Sequence, residues 1–325
     1  MLSQIQNPDL MPDIGQHDMP IGTCLLAYRG SIAHGMYVNK SDPNSIDDVD
    51  LMGIVIGARK HYFGLHEWGS RGTKEVKDGP LDIVYYEIRK VFSLLLQGNP
   101  NVMSLLWLRE QDYIVLKPAA RRIIYNRNLF AGKHVYNAFA GYAHQQLTKM
   151  ETRDPSELRM YLALTYEAKF RGVHPNHRGE RIEYPDNHDM ASGEAKNAEA
   201  MGDDRLVANL RSYMKKGENL GYLGDKRKGL VLEHGYDSKN AAHCVRLLRM
   251  ASEYLRSGVL TVFRPDADEL LDIKRGRWEL SRVKAHADEL FAEMRESRDK
   301  SPLPDEPDRE GAESLLVEIL SENFV

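Results

Sequence analysis

Cys24-Leu25-Leu26-Ala27-Tyr28-Arg29-Gly30-Ser31 and Asp48-Val49-Asp50-Leu51-Met52-Gly53-Ile54-Val55-Ile56 are the stretches on which the fold turns. Each holds a short apolar run bounded by Gly or by polar residues, so spans 21–29 and 49–57 read as buried strands. The first ends in a Gly-Ser turn. Its backbone N–H groups and the Ser31 hydroxyl suit phosphate, and neither Gly30 nor Gly35 has a Cβ to obstruct close approach. The second opens on two carboxylates at i and i+2, which leave the same face of a strand about 7 Å apart. Mg²⁺ takes one or two carboxylates completed by water and phosphate oxygens. Asp48 and Asp50 are therefore sufficient for a nucleotide-bound metal but not for a permanent cage.

Outward from this pair, GTKEVK (72–77) and LDIVYY (81–86) flank Asp78-Gly79-Pro80, whose Asp-Gly step predicts a tight reversal between antiparallel strands. Asp82 interrupts that apolar run between Leu81 and Ile83. Two-metal phosphoryl or nucleotidyl transfer needs a third carboxylate on the acceptor side, and Asp82 is the candidate. An isolated Asp-x-Asp is ordinarily a strand's polar edge; it is the combination with Gly30-Ser31 and Asp82 that favours catalysis. No Gly-Lys-Ser/Thr follows the turn and no Gly-x-Gly-x-x-Gly is present, so neither a Walker loop nor a dinucleotide fingerprint applies.

Beyond Tyr86 the apolar period becomes helical. Ile88, Val91, Phe92, Leu95 and Leu96 line one face up to Gly98-Asn99-Pro100, and a short helix is expected over 101–108. A last strand is expected over 113–116, followed by a helix from Pro118 through Tyr125. Further helices are expected near 132–150, 155–171, 203–216, 238–257, 266–274, 277–297 and 312–322. The expected architecture is α+β, a small mixed-sheet core over 21–117 after an N-terminal extension (1–20). A helical domain follows over 118–297, with a long polar loop at 173–201, then a tether and terminal helix over 298–325.

Composition narrows the class. A net charge of −4 argues against a generally basic nucleic-acid-coating protein but leaves room for a local basic groove. The two cysteines, Cys24 and Cys244, lie in apolar segments without metal-ligand spacing and are expected to be reduced core residues. No stretch reaches the roughly 20 apolar residues of a membrane span, and residues 1–20 lack the form of a signal peptide. A cytoplasmic protein is expected.

Lys239, His243 and Arg246 stand at i, i+4 and i+7 on one face of the 238–257 helix, with Cys244, Leu248, Ala251 and Leu255 on the other. Such a stripe suits a triphosphate or an acceptor backbone, and it equally suits a solvated surface. Asp237 is expected to cap this helix. His174, His177 and His188 in the polar loop lack partners at metal spacing.

These residues resemble the DNA polymerase β-type nucleotidyltransferase superfamily. More narrowly, Gly30-Ser31-Ile32-Ala33-His34-Gly35, Asp82-Ile83-Val84-Tyr85-Tyr86-Glu87, Gly98-Asn99-Pro100-Asn101 with Leu105-Leu106-Trp107, and Tyr236-Asp237-Ser238-Lys239-Asn240-Ala241-Ala242-His243 resemble the RNA-repair-ligase-associated nucleotidyltransferase family. The resemblance implies a metal-dependent enzyme that moves NMP from an NTP to an acceptor hydroxyl. Asp48 and Asp50 would bind Mg²⁺ or Mn²⁺, Asp82 would complete the acceptor-side metal, and Gly30, Ser31, Lys239, His243 and Arg246 would face the nucleotide. The implied acceptor is an RNA or tRNA end; a protein or small-molecule acceptor, or a non-catalytic nucleotide or RNA sensor, is the alternative. One departure is the sixteen residues between Ser31 and Asp48, which predict an added loop at 39–47.

Overall fold

The computed structural model describes residues 19–38, 49–78, 81–151, 173–175, 181–183, 230–231 and 233–323. Five strands form one mixed sheet: β1 (Thr23–Tyr28), β2 (Val49–Val55), β3 (Thr73–Asp78), β4 (Leu81–Glu87) and β5 (Tyr113–Leu116). Their order is β3-β4-β2-β1-β5. β2 and β4 are parallel, and the other pairings are antiparallel. Buried Leu26, Leu51, Ile83 and Tyr85 anchor the core beneath the sheet.

Local chemistry sets the connections. Asp78 pairs with Leu81, as the Asp-Gly reversal predicted. A single turn, α1 (Gly30–Ala33), follows β1, and α2 (Lys60–Phe63) follows β2. The Glu87 carboxylate ends β4 by accepting from the Arg89 N–H, which starts α3 (Ile88–Leu96). Asn99 caps α4 (Pro100–Ser104) through bonds from the N–H groups of Asn101 and Val102. α4 is shorter than the span expected to reach Leu108. α5 (Pro118–Tyr125) has Pro at its first position, and α6 spans Val135–Glu151.

Later elements are β6 (Val173–Pro175) and β7 (Arg181–Glu183), an antiparallel pair within the stretch expected as a polar loop. They are followed by α7 (Ser238–Ser257), α8 (Ala267–Lys274), α9 (Leu280–Asp299) and α10 (Arg309–Asn323). The expected helices at 155–171 and 203–216 lie outside the described residues. The chain divides into two compact units. One comprises 1–145, 243–272 and 284–325, and the other 146–242 and 273–283.

In the first unit, the segment expected as a tether at 298–311 is pinned. Lys133 and His134 donate to the carbonyls of Pro304 and Asp305, Ser301 bonds Leu255, and Asp308 donates to Leu129. Asp308 also caps α10 by accepting from Gly311, which moves the helix start back from the expected 312. In the second unit, Asp237 caps α7 by accepting from the Asn240 N–H, and the Tyr236 hydroxyl donates to the Trp278 carbonyl. Among the described residues no helix is long and apolar enough to cross a membrane.

Gly35 closes the α1 turn at φ +73°, and a Cβ there would lie 2.8 Å from the Phe263 ring. Gly35→Ala combines left-handed strain with overpacking, together about 2 kcal/mol. Urea unfolding is expected to show that loss, and a midpoint equal to wild type would contradict the packing described.

Candidate active site

The parallel register pairs Asp50 directly with Asp82. Val49, Leu51, Leu81 and Ile83 are buried on either side, and both Asp side chains keep 31% exposure. Alternation therefore sends the two acids to one face, as expected for Asp82. Asp48 lies outside the described residues, as does the loop at 39–47.

Two cations missing from the sequence reading complete the row. Lys77 pairs across the β3–β4 hairpin with Asp82, and its Nζ lies 4.0 Å from Oδ2. Arg29 follows β1, donates its backbone N–H to the Asp50 carbonyl at 2.9 Å, and reaches over both acids. Its Nη2 is 3.6 Å from Oδ1 of Asp50 and 3.6 Å from Oδ1 of Asp82. The two oxygens can thus be no more than twice that distance, 7.2 Å, apart. These separations are ion pairs rather than hydrogen bonds, and among the described residues Arg29 Nε is buried with no hydrogen-bond partner.

Gly30 lies against Asp50. At φ +62°, a Cβ at this position would come within 2.4 Å of Asp50 Oδ2, so the turn and the carboxylate approach each other only because residue 30 is glycine. Ser31 is partly exposed beside it, on the first turn of α1. The structure thus brings Gly30, Ser31, Asp50 and Asp82 together. Among the described residues no group of three or more His, Cys, Asp or Glu is placed to hold a metal.

The cationic stripe resolves differently for each residue. Lys239 belongs to the second unit, whereas His243 and Arg246 belong to the first. Arg246 is only 7% exposed, which excludes the solvated-face alternative for it. Its Nη1 lies 3.5 Å from Nδ1 of His34, the residue closing α1, and 3.1 Å from the Met250 sulfur. His34 Nδ1 is 2.9 Å from the Val262 carbonyl, and that acceptor requires a proton on Nδ1. Arg246 therefore faces a donor. Burial first, and then Arg246, hold the His34 imidazole well below its usual value, against the opposing Val262 bond. Burial and Arg264 lower Arg246 to about 9.

Cys24 and Cys244 are buried free thiols, each pushed up to about 12 chiefly by burial, which fits the expected core role. Tyr85 is buried, whereas Tyr86 is only partly so. The polar-loop histidines lie outside the described side chains.

A mixed sheet presenting paired carboxylates beside a Gly-Ser turn is the architecture expected of the nucleotidyltransferase class. Residues 13–165 match the family model described as RlaP, RNA repair pathway DNA polymerase beta family, the family that the motifs resembled. This family fits a nucleotidyltransferase. The matched segment contains Gly30, Ser31, Asp48, Asp50 and Asp82 and ends before α7, so it lends nothing to Lys239, His243 or Arg246. Neither the curated proteins nor the solved structures yield a match.

His34 supplies a pH test. Its folded pKa is lowered, so the folded state binds fewer protons than the unfolded chain, whose histidine titrates near 6.5. This contribution to stability is full above about pH 6.5 and falls away below it, by up to about 1.4 kcal/mol per pH unit. His34→Gln is expected to shrink the loss of urea resistance between about pH 7.5 and 5.5. An unchanged loss would place the His34 proton differently.

Proposed function

We propose that the chain is a metal-dependent nucleotidyltransferase that moves NMP from an NTP to an acceptor hydroxyl. The observation that carries this reading is the in-register Asp50–Asp82 pair converging on one cationic nitrogen against the Gly30-Ser31 turn. Arg29 Nη2 marks a point from which one positive charge reaches both carboxylates. Hard carboxylate oxygens at that spacing suit Mg²⁺ or Mn²⁺. Asp48, Asp50 and Asp82 would hold the metals, which when bound neutralise triphosphate charge and favour ionisation of the acceptor hydroxyl.

The chain's own residues have separable tasks. Gly30 and Ser31 offer N–H groups of a first helical turn, which lack intrahelical partners, and the Ser31 hydroxyl to the triphosphate. Asp82 receives the proton of the attacking hydroxyl as its oxygen bonds the α-phosphorus. The bond from that phosphorus to the bridging oxygen breaks, and pyrophosphate leaves. Arg29 lies between the acids one residue before the turn, so where a metal held by Asp50 and Asp82 took over its charge the guanidinium would serve the phosphates. Arg246 adds positive potential behind α1, while Lys239 and His243 are assigned to the nucleotide on resemblance alone. An RNA or tRNA end is the acceptor favoured by the family's link to RNA repair.

The test is transfer of label from α-labelled NTPs to total RNA with Mg²⁺. Asp50→Asn and Asp82→Asn are each expected to lower transfer by at least about a hundredfold, and chelation to abolish it. Gly30→Ala is expected to act in the same direction, through its encounter with Asp50. Transfer that survives Asp82→Asn would sink this mechanism.

A further inference from the structure

The opposite end of the sheet carries an excess of cations. The start of β1, the end of β2 and the end of β5 meet there, five residues along β2 from Asp50, or about 17 Å at roughly 3.3 Å per residue. A cavity of about 990 Å³ opens between them. Arg59, Lys60 and His61 line one side, Lys117 and Arg122 the other.

The only carboxylate on its wall among the described residues is Glu322, which is already bonded to Arg122 at 2.6 Å. Arg59, Lys60 and Lys117 are exposed and make no ion pair among the described residues. In a chain of net charge −4, such an excess of cations around one cavity is not the background composition.

Apolar groups accompany the charges. Ile21 at the rim is 97% exposed, and Phe63 on α2 is 75% exposed with the Arg59 guanidinium 5.5 Å from its ring centre. Trp68 lines the cavity wall. Cations interleaved with an exposed aromatic ring are what a strand with unpaired bases needs, since phosphates take the charge and bases take the ring. An acidic peptide would use the cations and leave the ring idle, and a duplex would offer no free base face.

We infer that this cavity binds single-stranded nucleic acid, with Arg59, Lys60 and Lys117 on the phosphates and Phe63 stacked on a base. The site stands without the proposed transferase activity. If that activity holds, the cavity grips the acceptor strand away from its reacting end.

The test is fluorescence anisotropy of labelled 12-nucleotide single strands, RNA and DNA, on the full chain across a salt series. Arg59→Ser/Lys60→Ser/Lys117→Ser is expected to weaken binding at least about tenfold and to flatten the log–log salt slope by about 2, near 0.7 per lost phosphate contact. Phe63→Ala is expected to weaken binding about fivefold with the slope unchanged. Asp82→Asn is expected to bind as wild type, so loss of transfer there with binding intact separates the two proposals. Binding by RNA alone or by both strands supports the site and reports whether a 2′-hydroxyl is read. No binding by wild type, wild-type affinity in the triple variant, or equal binding of polyglutamate or a blunt duplex would overturn it.

Discussion

The structure depends on the parallel pairing of β2 with β4, because its register sets Asp50 side by side with Asp82. Like charges on adjacent strands repel, so Asp50 beside Asp82 is a local cost. The apolar neighbours enforce it. A slip of β2 by one residue would turn Val49 and Leu51 outward and bury Asp50, a far larger penalty. Arg29 and Lys77 then flank the pair, so the described row of four holds two acids and two bases. Partial exposure keeps both acids hydrated, which limits the remaining repulsion.

The turn beside this pair is held from far along the chain. The Arg264 N–H donates to the His34 carbonyl at 3.2 Å, His34 bonds Val262, and Gly35 lies on the Phe263 ring. Phe263 is in turn covered by the Arg109 guanidinium, 3.6 Å from its centre, and Arg109 makes a bidentate pair with buried Asp112. Arg264 is buried but enclosed by Glu253 and Asp266. Although burial opposes its charge, these hydrogen bonds prevail and raise its pKa. Three consecutive residues after α7 thus set the position of a loop more than 220 residues earlier. A small change at Phe263 or Arg264 would be felt at Gly30.

Much of this was legible where a single local rule decides. The apolar runs, the Asp78-Gly79 step and Pro118 placed β1, β2, β4, β5 and α5 within a residue or two. Lys77 was legible too, because a hairpin pairing 78 with 81 must pair 77 with 82. Arg29 was not, since its role depends on a long side chain crossing two strands, and no periodicity encodes that. The clamp by Val262, Phe263 and Arg264 was hidden for the same reason, as was the pinning of 298–311. A polar stretch reads as loose until the backbone partners that hold it, here Leu129, Lys133 and His134, are known. On α7 the 3.6-residue period correctly grouped Cys244, Leu248, Ala251 and Leu255 as buried, but a period cannot say that Arg246 on the charged side is also covered.

Arg246 shows what that cover does. A buried guanidinium is costly unless acceptors surround it, and this one has a sulfur and the donor side of an imidazole among its described neighbours. Of the two groups His34 is the one that yields. Its imidazole is kept neutral by burial first and then by the positive charge of Arg246 3.5 Å away. Its Nδ1–H bond to the Val262 carbonyl is one of the ties holding the α1 turn. The buried cation thus packs against the imidazole whose bond to Val262 ties the α1 turn, and that turn carries the Gly30 that meets Asp50.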